Sequence, residues 1–252
     1  MFLYLLKAFC KFKNEKFLYV FFFYLIMRTL TQVDITGLRV LLRVDYNVSV
    51  DKEGNPLDDF KIKQSLTTIK YILKRAKQLI IITHLGRPDG KKIKSLTTDK
   101  LAIRLMKYVG REIKKLDDCV DVVIPDAKVV FLENLRFHKE EKKNDDLFAK
   151  KLAAYADVFV NDAFSVCHRE HASVVGITKH LPSCAGFLLQ KEIESLDLSK
   201  AKKPLAVIMG GSKLSTKFHL INALLPKVDK LLLGGAMIFT FLKAQGKEIG
   251  ES

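Results

Sequence analysis

The sequence predicts an α/β protein: a parallel-sheet, three-layer αβα Rossmann-like domain, followed by the start of a second, similar α/β domain. Three observations predict it. From Met27 onward, short apolar runs rich in Val and Ile alternate with stretches of helical periodicity, the pattern of βαβ units. Polar and charged side chains gather directly after those runs, where open parallel sheets bind ligands. A charged stretch, 191–203, interrupts the alternation, which then resumes.

Residues 1–26, MFLYLLKAFCKFKNEKFLYVFFFYLI, precede the pattern. The run Phe17–Ile26 is shorter than the roughly 20 apolar residues that cross a bilayer, and no small-residue cleavage site follows it. Met27 opens MRTLTQVDITG, so 1–26 is read as an apolar extension upstream of the true start; a membrane anchor is the competing reading. The elements follow in order. RVLLRVD (39–45) reads as a buried strand. Ile62, Leu66, Ile69, Ile72, Leu73 and Ala76 mark a helix over 62–77. LIIIT (79–83) is a strand, and 101–109 a helix stopped by Gly110. Strands are expected at 119–124 and 128–132, a helix at 145–156 and a strand at 157–160. The charged stretch 191–203 is expected to be a helical connector. The domains are therefore drawn as 27–186, a hinge at 187–203, and a partial domain at 204–252, with a helix at 215–225 and a strand at 230–233. Two strands are too few to bury a parallel sheet on both faces, so the chain is read as part of a longer protein.

Composition narrows the function. Hydrophobic residues make up 48% of the chain, enough for a real core rather than disorder. The formal charge of +15 calls for an anionic partner. The four cysteines, Cys10, Cys119, Cys167 and Cys184, form no C-x-x-C pair, which fits a reducing, cytoplasmic setting and no zinc ribbon. His168 and His171 lack a third ligand at usual spacing, so no metal site is predicted. No G-x-S-x-G occurs. The aromatics of 17–24 have no basic platform around them, against nucleic-acid stacking.

Each strand end carries chemistry. Asp45 and Asn47 follow the first strand, His84 and Arg87 the second, Arg136 the KVVFL strand, and Arg169 the DVFV strand. A single arginine is ordinarily a surface or salt-bridge residue. Arginines converging on one sheet edge instead suit bidentate capture of phosphate or carboxylate, and predict a pocket for a small, multiply anionic molecule. In the second run, MGGSKLSTK (209–217) lies between a strand and a helix. Glycines there let backbone approach phosphate, and Lys213 and Lys217 bring positive charge. This is not the P-loop pattern, and taken alone it describes a plain strand-to-helix turn better than a phosphate site.

RVDYN, THLGRPDG, ENLRFH, FVNDAFSVCHREHAS, AGFLLQKE, IMGGSK and KVDKLLLGGAMIFTFLKAQG stand in one order between Met27 and the last residue. Together they resemble the phosphoglycerate kinase family. The resemblance implies reversible phosphoryl transfer between ATP and 3-phosphoglycerate, giving 1,3-bisphosphoglycerate and ADP with Mg2+, by a cytoplasmic, monomeric glycolytic enzyme whose two domains close about a hinge. It implies substrate-binding roles for Asp45, Asn47, Lys61, His84, Arg87, Arg136 and Arg169, and nucleotide-binding roles for Gly210, Gly211, Ser212, Lys213, Lys217, Gly234 and Gly235. Arg43, Lys213 and Lys217 are the catalytic candidates, Lys213 foremost for charge on the transferred phosphoryl group. The chain departs from the family pattern at Lys61, where arginine is usual, at Thr216, where an acid is common, and at Ala236, where a glycine is usual. The aspartate that usually serves the magnesium–nucleotide is not among these 252 residues. The chain alone is therefore expected to bind 3-phosphoglycerate with little turnover. The rival reading is a non-catalytic anion- or nucleic-acid-binding protein, favoured by charge alone.

Overall fold

Strict alternation of apolar side chains along parallel strands gives a sheet with two buried faces. The computed structural model describes residues 27–211, 214–215 and 217–251, apart from the Ser199 side chain. The expectations for 1–26, Ser212, Lys213 and Thr216 lie outside them. Strands β1 (Arg39–Arg43), β2 (Gln78–Ile82), β3 (Lys114–Lys115), β4 (Val129–Phe131), β5 (Val158–Asn161) and β6 (Ser183–Ala185) pair in parallel in the order β3-β4-β2-β1-β5-β6. Val40, Leu42, Leu79, Ile81, Val129, Phe131, Val158 and Val160 share one face. They pack against Ile62, Ile69 and Ile72 of α1 (Phe60–Arg75) and Leu101 and Leu105 of α2 (Asp99–Val109). Each such side chain, fully buried, contributes about 1.5–3 kcal/mol. The intervening residues Leu41, Ile80, Ile82, Val130 and Phe159 face the other way. After the short α3 (Lys139–Lys143), α4 (Asp146–Ala153) covers them with Phe148, Ala149 and Leu152. The result is the predicted three-layer, Rossmann-like arrangement.

Local chemistry sets the helix ends. The Asp145 carboxylate accepts from the Phe148 N–H at 2.8 Å and starts α4, while Gly110 ends α2 in the left-handed region, φ 63°. The final helix before Leu196, α5 (Phe187–Ser195), begins where the Asp162 carboxylate accepts from the N–H groups of Leu188 and Leu189 at 2.8 and 3.2 Å. It corrects the expected helix at 191–203: the helix starts earlier, and only a 3-10 turn, Leu198–Lys200, follows it. The stretch 119–124 is not a strand. Asp121 takes φ 55°, and side chains satisfy the backbone: Asp118 accepts from the Cys119 N–H and Tyr155 from that of Val122. The sheet edge is instead the two-residue β3, whose lysines carry no strand signal. β6 and α3 also escaped the sequence reading.

The chain divides between Ser195 and Leu196 into two units. In the second, β7 (Ala206–Gly210) and β8 (Lys230–Gly234) pair in parallel, with α6 (Phe218–Leu224) and α7 (Met237–Ala244). Met209, Ile221 and Met237 form its core, while Ile208 on the other side of β7 is 80% exposed. No helix among the described residues is long and apolar enough to cross a membrane.

Candidate active site

The chain runs from β1 out to β4 on one side and then to β5 on the other, so the sheet's switch point lies at β1 and β5. Ligands of open α/β sheets bind beyond the strand ends at such a point. Arg43, the last residue of β1, is fully buried there. Its Nε donates to Ser173 Oγ at 3.1 Å, one Nη donates to the Val44 carbonyl, and the other lies 2.9 Å from His84 Nδ1. None of these partners is a carboxylate. A guanidinium only donates, so His84 Nδ1 accepts and the ring is neutral, with its proton on Nε2. Burial, and then the charges of Arg43, Arg136, Lys61 and Arg169, hold the His84 pKa far below its ordinary value.

Asp45 accepts from Lys61 Nζ at 2.7 Å, Ser165 Oγ at 2.5 Å and the Asn47 N–H at 3.0 Å. Burial pushes its carboxyl up, but these partners outweigh it and keep the group below the usual range. Lys61 Nζ also donates to the Asn47 carbonyl at 3.0 Å. The Asn47 side chain accepts from the Gly86 N–H at 2.8 Å, and Arg136 Nη1 donates to the Gly86 carbonyl at 2.6 Å. Gly86 has φ +64°, and a Cβ there would stand 2.9 Å from both methyls of Leu96, so glycine suits this bridging residue. Asn134 locks the next loop. Its Oδ1 accepts from the N–H groups of Leu85 and Arg136, each at 3.1 Å.

Arg136 is 3% exposed, yet its Nε has no hydrogen-bond partner. Burial, then repulsion from Arg169, Arg43 and Arg87 against the pull of Glu141, brings its pKa down to about 10. Arg169 is half-buried, its Nε 3.3 Å from His168 Nε2, and Arg87 is exposed. Thus Arg43, Asp45, Asn47, Lys61, His84, Arg87, Arg136 and Arg169 share one region linked by hydrogen bonds and charge. Its cations outnumber its carboxylates, so an anion would relieve their mutual repulsion.

Four contributors escaped the sequence reading. Ser165 holds Asp45. Ser173 donates to Glu141 through both Oγ, at 2.6 Å, and N–H, at 2.9 Å, so it links buried Arg43 to a fully buried carboxylate. His171 Nδ1 lies 3.6 Å from Glu141 Oε1; burial, then Arg136, Arg169, Arg43 and Lys142, bring its pKa down to about 4. Glu141 sits in KEEKK, which looks like any solvated helical face, so nothing in the sequence marked it.

In the second unit, Gly210, Gly211, Gly234 and Gly235 lie at the carboxyl ends of β7 and β8. Gly235 has φ +67°, and a Cβ there would stand 3.2 Å from Gly211 N and O. Lys217 precedes α6, and a Cβ on Gly211 would meet its Cε at 3.1 Å. Bare backbone beside a lysine suits phosphate. Neither glycine turn carries a carboxylate of its own to receive a magnesium ion. The one carboxylate between 206 and 247 is Asp229, which lies at the opposite, amino end of β8 and is held by the Leu205 N–H at 2.6 Å and Lys203 Nζ at 3.0 Å.

Fold and site thus define an α/β protein whose strand ends gather cationic side chains in one unit and bare glycine backbone in the other. The family model for phosphoglycerate kinase matches residues 30–252, and the chain belongs to the phosphoglycerate kinase family. A phosphoglycerate kinase of Coprothermobacter proteolyticus is 46% identical over 235 residues, 90% of this chain and 60% of the relative. A cytosolic phosphoglycerate kinase of Triticum aestivum is 48% identical over 234 residues, 89% of this chain and 58% of the relative. The solved phosphoglycerate kinase of Coxiella burnetii superposes with a TM-score of 0.78 at 37% identity, covering 90% of this chain and 59% of its own. That of Pyrococcus horikoshii OT3 gives 0.75 at 30% identity, covering 89% and 59%. The chain spans 60% of the length of the first of these curated relatives.

Proposed function

We propose that this protein serves reversible phosphoryl transfer between ATP and 3-phosphoglycerate, and that the present chain supplies the 3-phosphoglycerate site. The observation that carries this reading is the partnerless Nε of buried Arg136 among Arg43, Arg87 and Arg169, a cationic group without matching carboxylates. Arg87, Arg136 and Arg169 would take the phosphate and carboxylate of the triose. His84, neutral, would donate from Nε2 without adding charge. Asp45 and Asn47 would orient the hydroxyl, with Lys61 steadying both. Arg43, which reaches the site through His84, would position that ring. Such holding matters because phosphoryl transfer asks a protein mainly for positioning and charge stabilisation.

The bare strand ends at Gly210, Gly211, Gly234 and Gly235, with Lys217, would approach the nucleotide phosphates. The resemblance adds Ser212 and Lys213, the latter as the cation for the transferred group. Magnesium, which accompanies the nucleotide in this family, would neutralise phosphate charge; no residue of this chain is assigned to it. We further propose a cytoplasmic, monomeric protein, and little turnover by these 252 residues alone. Calorimetric titration of 3-phosphoglycerate into the full chain tests the site. Saturable binding that Arg136→Ala abolishes supports it. A chain that melts cooperatively yet binds no 3-phosphoglycerate sinks it, and steeply salt-dependent binding of polynucleotide instead would favour the anion-binding rival.

A further inference from the structure

A second cluster lies outside the arginine region. Asp118 and Cys119 precede β4 and His138 follows it, so an adjacent carboxylate and thiol meet an imidazole that is distant in sequence. One donor atom from each lies within 4.8 Å of the other two. The arrangement is layered: Cys119 is fully buried and forms the floor, while the side chains of His138 and Asp118 are 26% and 36% exposed and form a rim open to solvent. The rim is already oriented. Asp118 Oδ1 accepts from the Cys119 N–H at 2.7 Å and lies 2.6 Å from His138 Nε2, and the His138 ring packs on Phe148 at 5.3 Å between centroids.

We propose that Asp118, Cys119 and His138 form a binding site for a divalent transition metal, zinc(II) being the best match. Sulfur, imidazole nitrogen and carboxylate oxygen are the donors zinc takes, at about 2.3, 2.0 and 2.1 Å. Those lengths place donors roughly 3.3–3.7 Å apart around a tetrahedral ion. The longest separation must therefore shrink by the order of 1 Å, and the Asp118–His138 bond must open to admit the ion. Both movements fall on the partly exposed rim. The fourth position faces solvent and takes water. Lys92 Nζ, 4.0 Å from Asp118 Oδ2, has a long exposed stem that can swing away.

The competing use of such a trio is nucleophilic catalysis, which needs a thiolate without a metal. Burial, then the charges of Asp118, Glu141 and Glu133, push the Cys119 thiol well above its ordinary pKa, the opposite of an activated nucleophile. A metal reverses this balance. The sulfur lone pair forms the metal bond, the S–H bond breaks, and the proton leaves to solvent, so binding weakens as the pH falls. The site shares no residue with the arginine cluster and holds whether or not the phosphoglycerate reading does.

Cobalt(II), titrated into the full chain, reports the ligand set through a thiolate-to-metal charge-transfer band and intense tetrahedral d–d bands. We expect both at one equivalent, displaced by zinc(II) and accompanied by proton release. Cys119→Ala should abolish the charge-transfer band. His138→Gln should weaken binding by about 100-fold or more, since even an outer-shell partner accounts for 10–100-fold. His138→Gln alters a partly exposed side chain, so it keeps the test valid if Cys119→Ala fails to fold. No charge-transfer band in the parent, or a band that survives Cys119→Ala, overturns the proposal.

Discussion

Lys61 shows what one side chain decides. Its ammonium has three donors, and two are engaged, by Asp45 Oδ2 at 2.7 Å and the Asn47 carbonyl at 3.0 Å. One remains for a ligand. An arginine at the same place would meet both partners and still present a planar fork. A further charge-assisted hydrogen bond contributes about 1.5–3 kcal/mol, and 1.4 kcal/mol is tenfold in affinity. Lys61→Arg should therefore tighten 3-phosphoglycerate binding by about 10-fold, read by calorimetry. Unchanged affinity would mean that position 61 serves only Asp45 and the Asn47 carbonyl. Arg136→Ala should have the opposite sign and remove the proposed saturable binding altogether.

At the scale of elements, Asp162 ties the end of β5 to the start of α5. One carboxylate oxygen accepts from Leu188 and Leu189; the other is buried without a hydrogen-bond partner. Burial, against hydrogen bonds from Thr68, Leu189 and Leu188, pushes its carboxyl up to about 6. A Cβ on Gly186 would stand 2.2 Å from Asp162 Oδ1, which explains the glycine. Losing such a cap costs about 0.5–2 kcal/mol, so Asp162→Ala should lower unfolding stability by that order in urea, whereas Asp162→Asn keeps the accepting oxygen and should lose less. Equal losses would show that the capping oxygen is not what matters. The same element shows what sequence makes legible. Asp45, His84, Arg136 and Arg169 could be found because a strand's apolar run announces where it ends, and polar residues at that end have one place to go. Glu141, Ser173 and His171 could not, because their partners arrive from other segments and their own neighbours look like surface. The stretch 119–124 misled for a related reason: its apolar residues serve burial of Cys119 and Val120, while Asp121, at φ 55°, breaks the extended path. The two lysines of β3 pair with β4 through backbone, and Lys115 adds an ion pair to Glu133 that comes from another segment.

For the molecule as a whole, the price of gathering cations shows in acid. His84 and His171 are held neutral, the first far below its ordinary pKa and the second at about 4. In the unfolded chain both titrate near about 6.5. Below that pH the unfolded state takes up protons that the fold refuses, so stability is full above about pH 6.5 and falls as the pH drops towards the folded values. Asp162 works in the other direction. Its folded pKa, about 6, lies above the ordinary carboxylate value, so the fold takes a proton first and gains stability as the pH falls through that window. The melting temperature of the full chain should drop between about pH 7.5 and 5.5 because two histidines oppose one aspartate. His171→Gln should make the drop shallower, and Asp162→Asn should make it steeper by removing the opposing gain. Parallel pH profiles for all three proteins would mean that His171 and Asp162 titrate alike in the folded and unfolded chain, and that burial and the neighbouring arginines do not hold the His171 imidazole neutral.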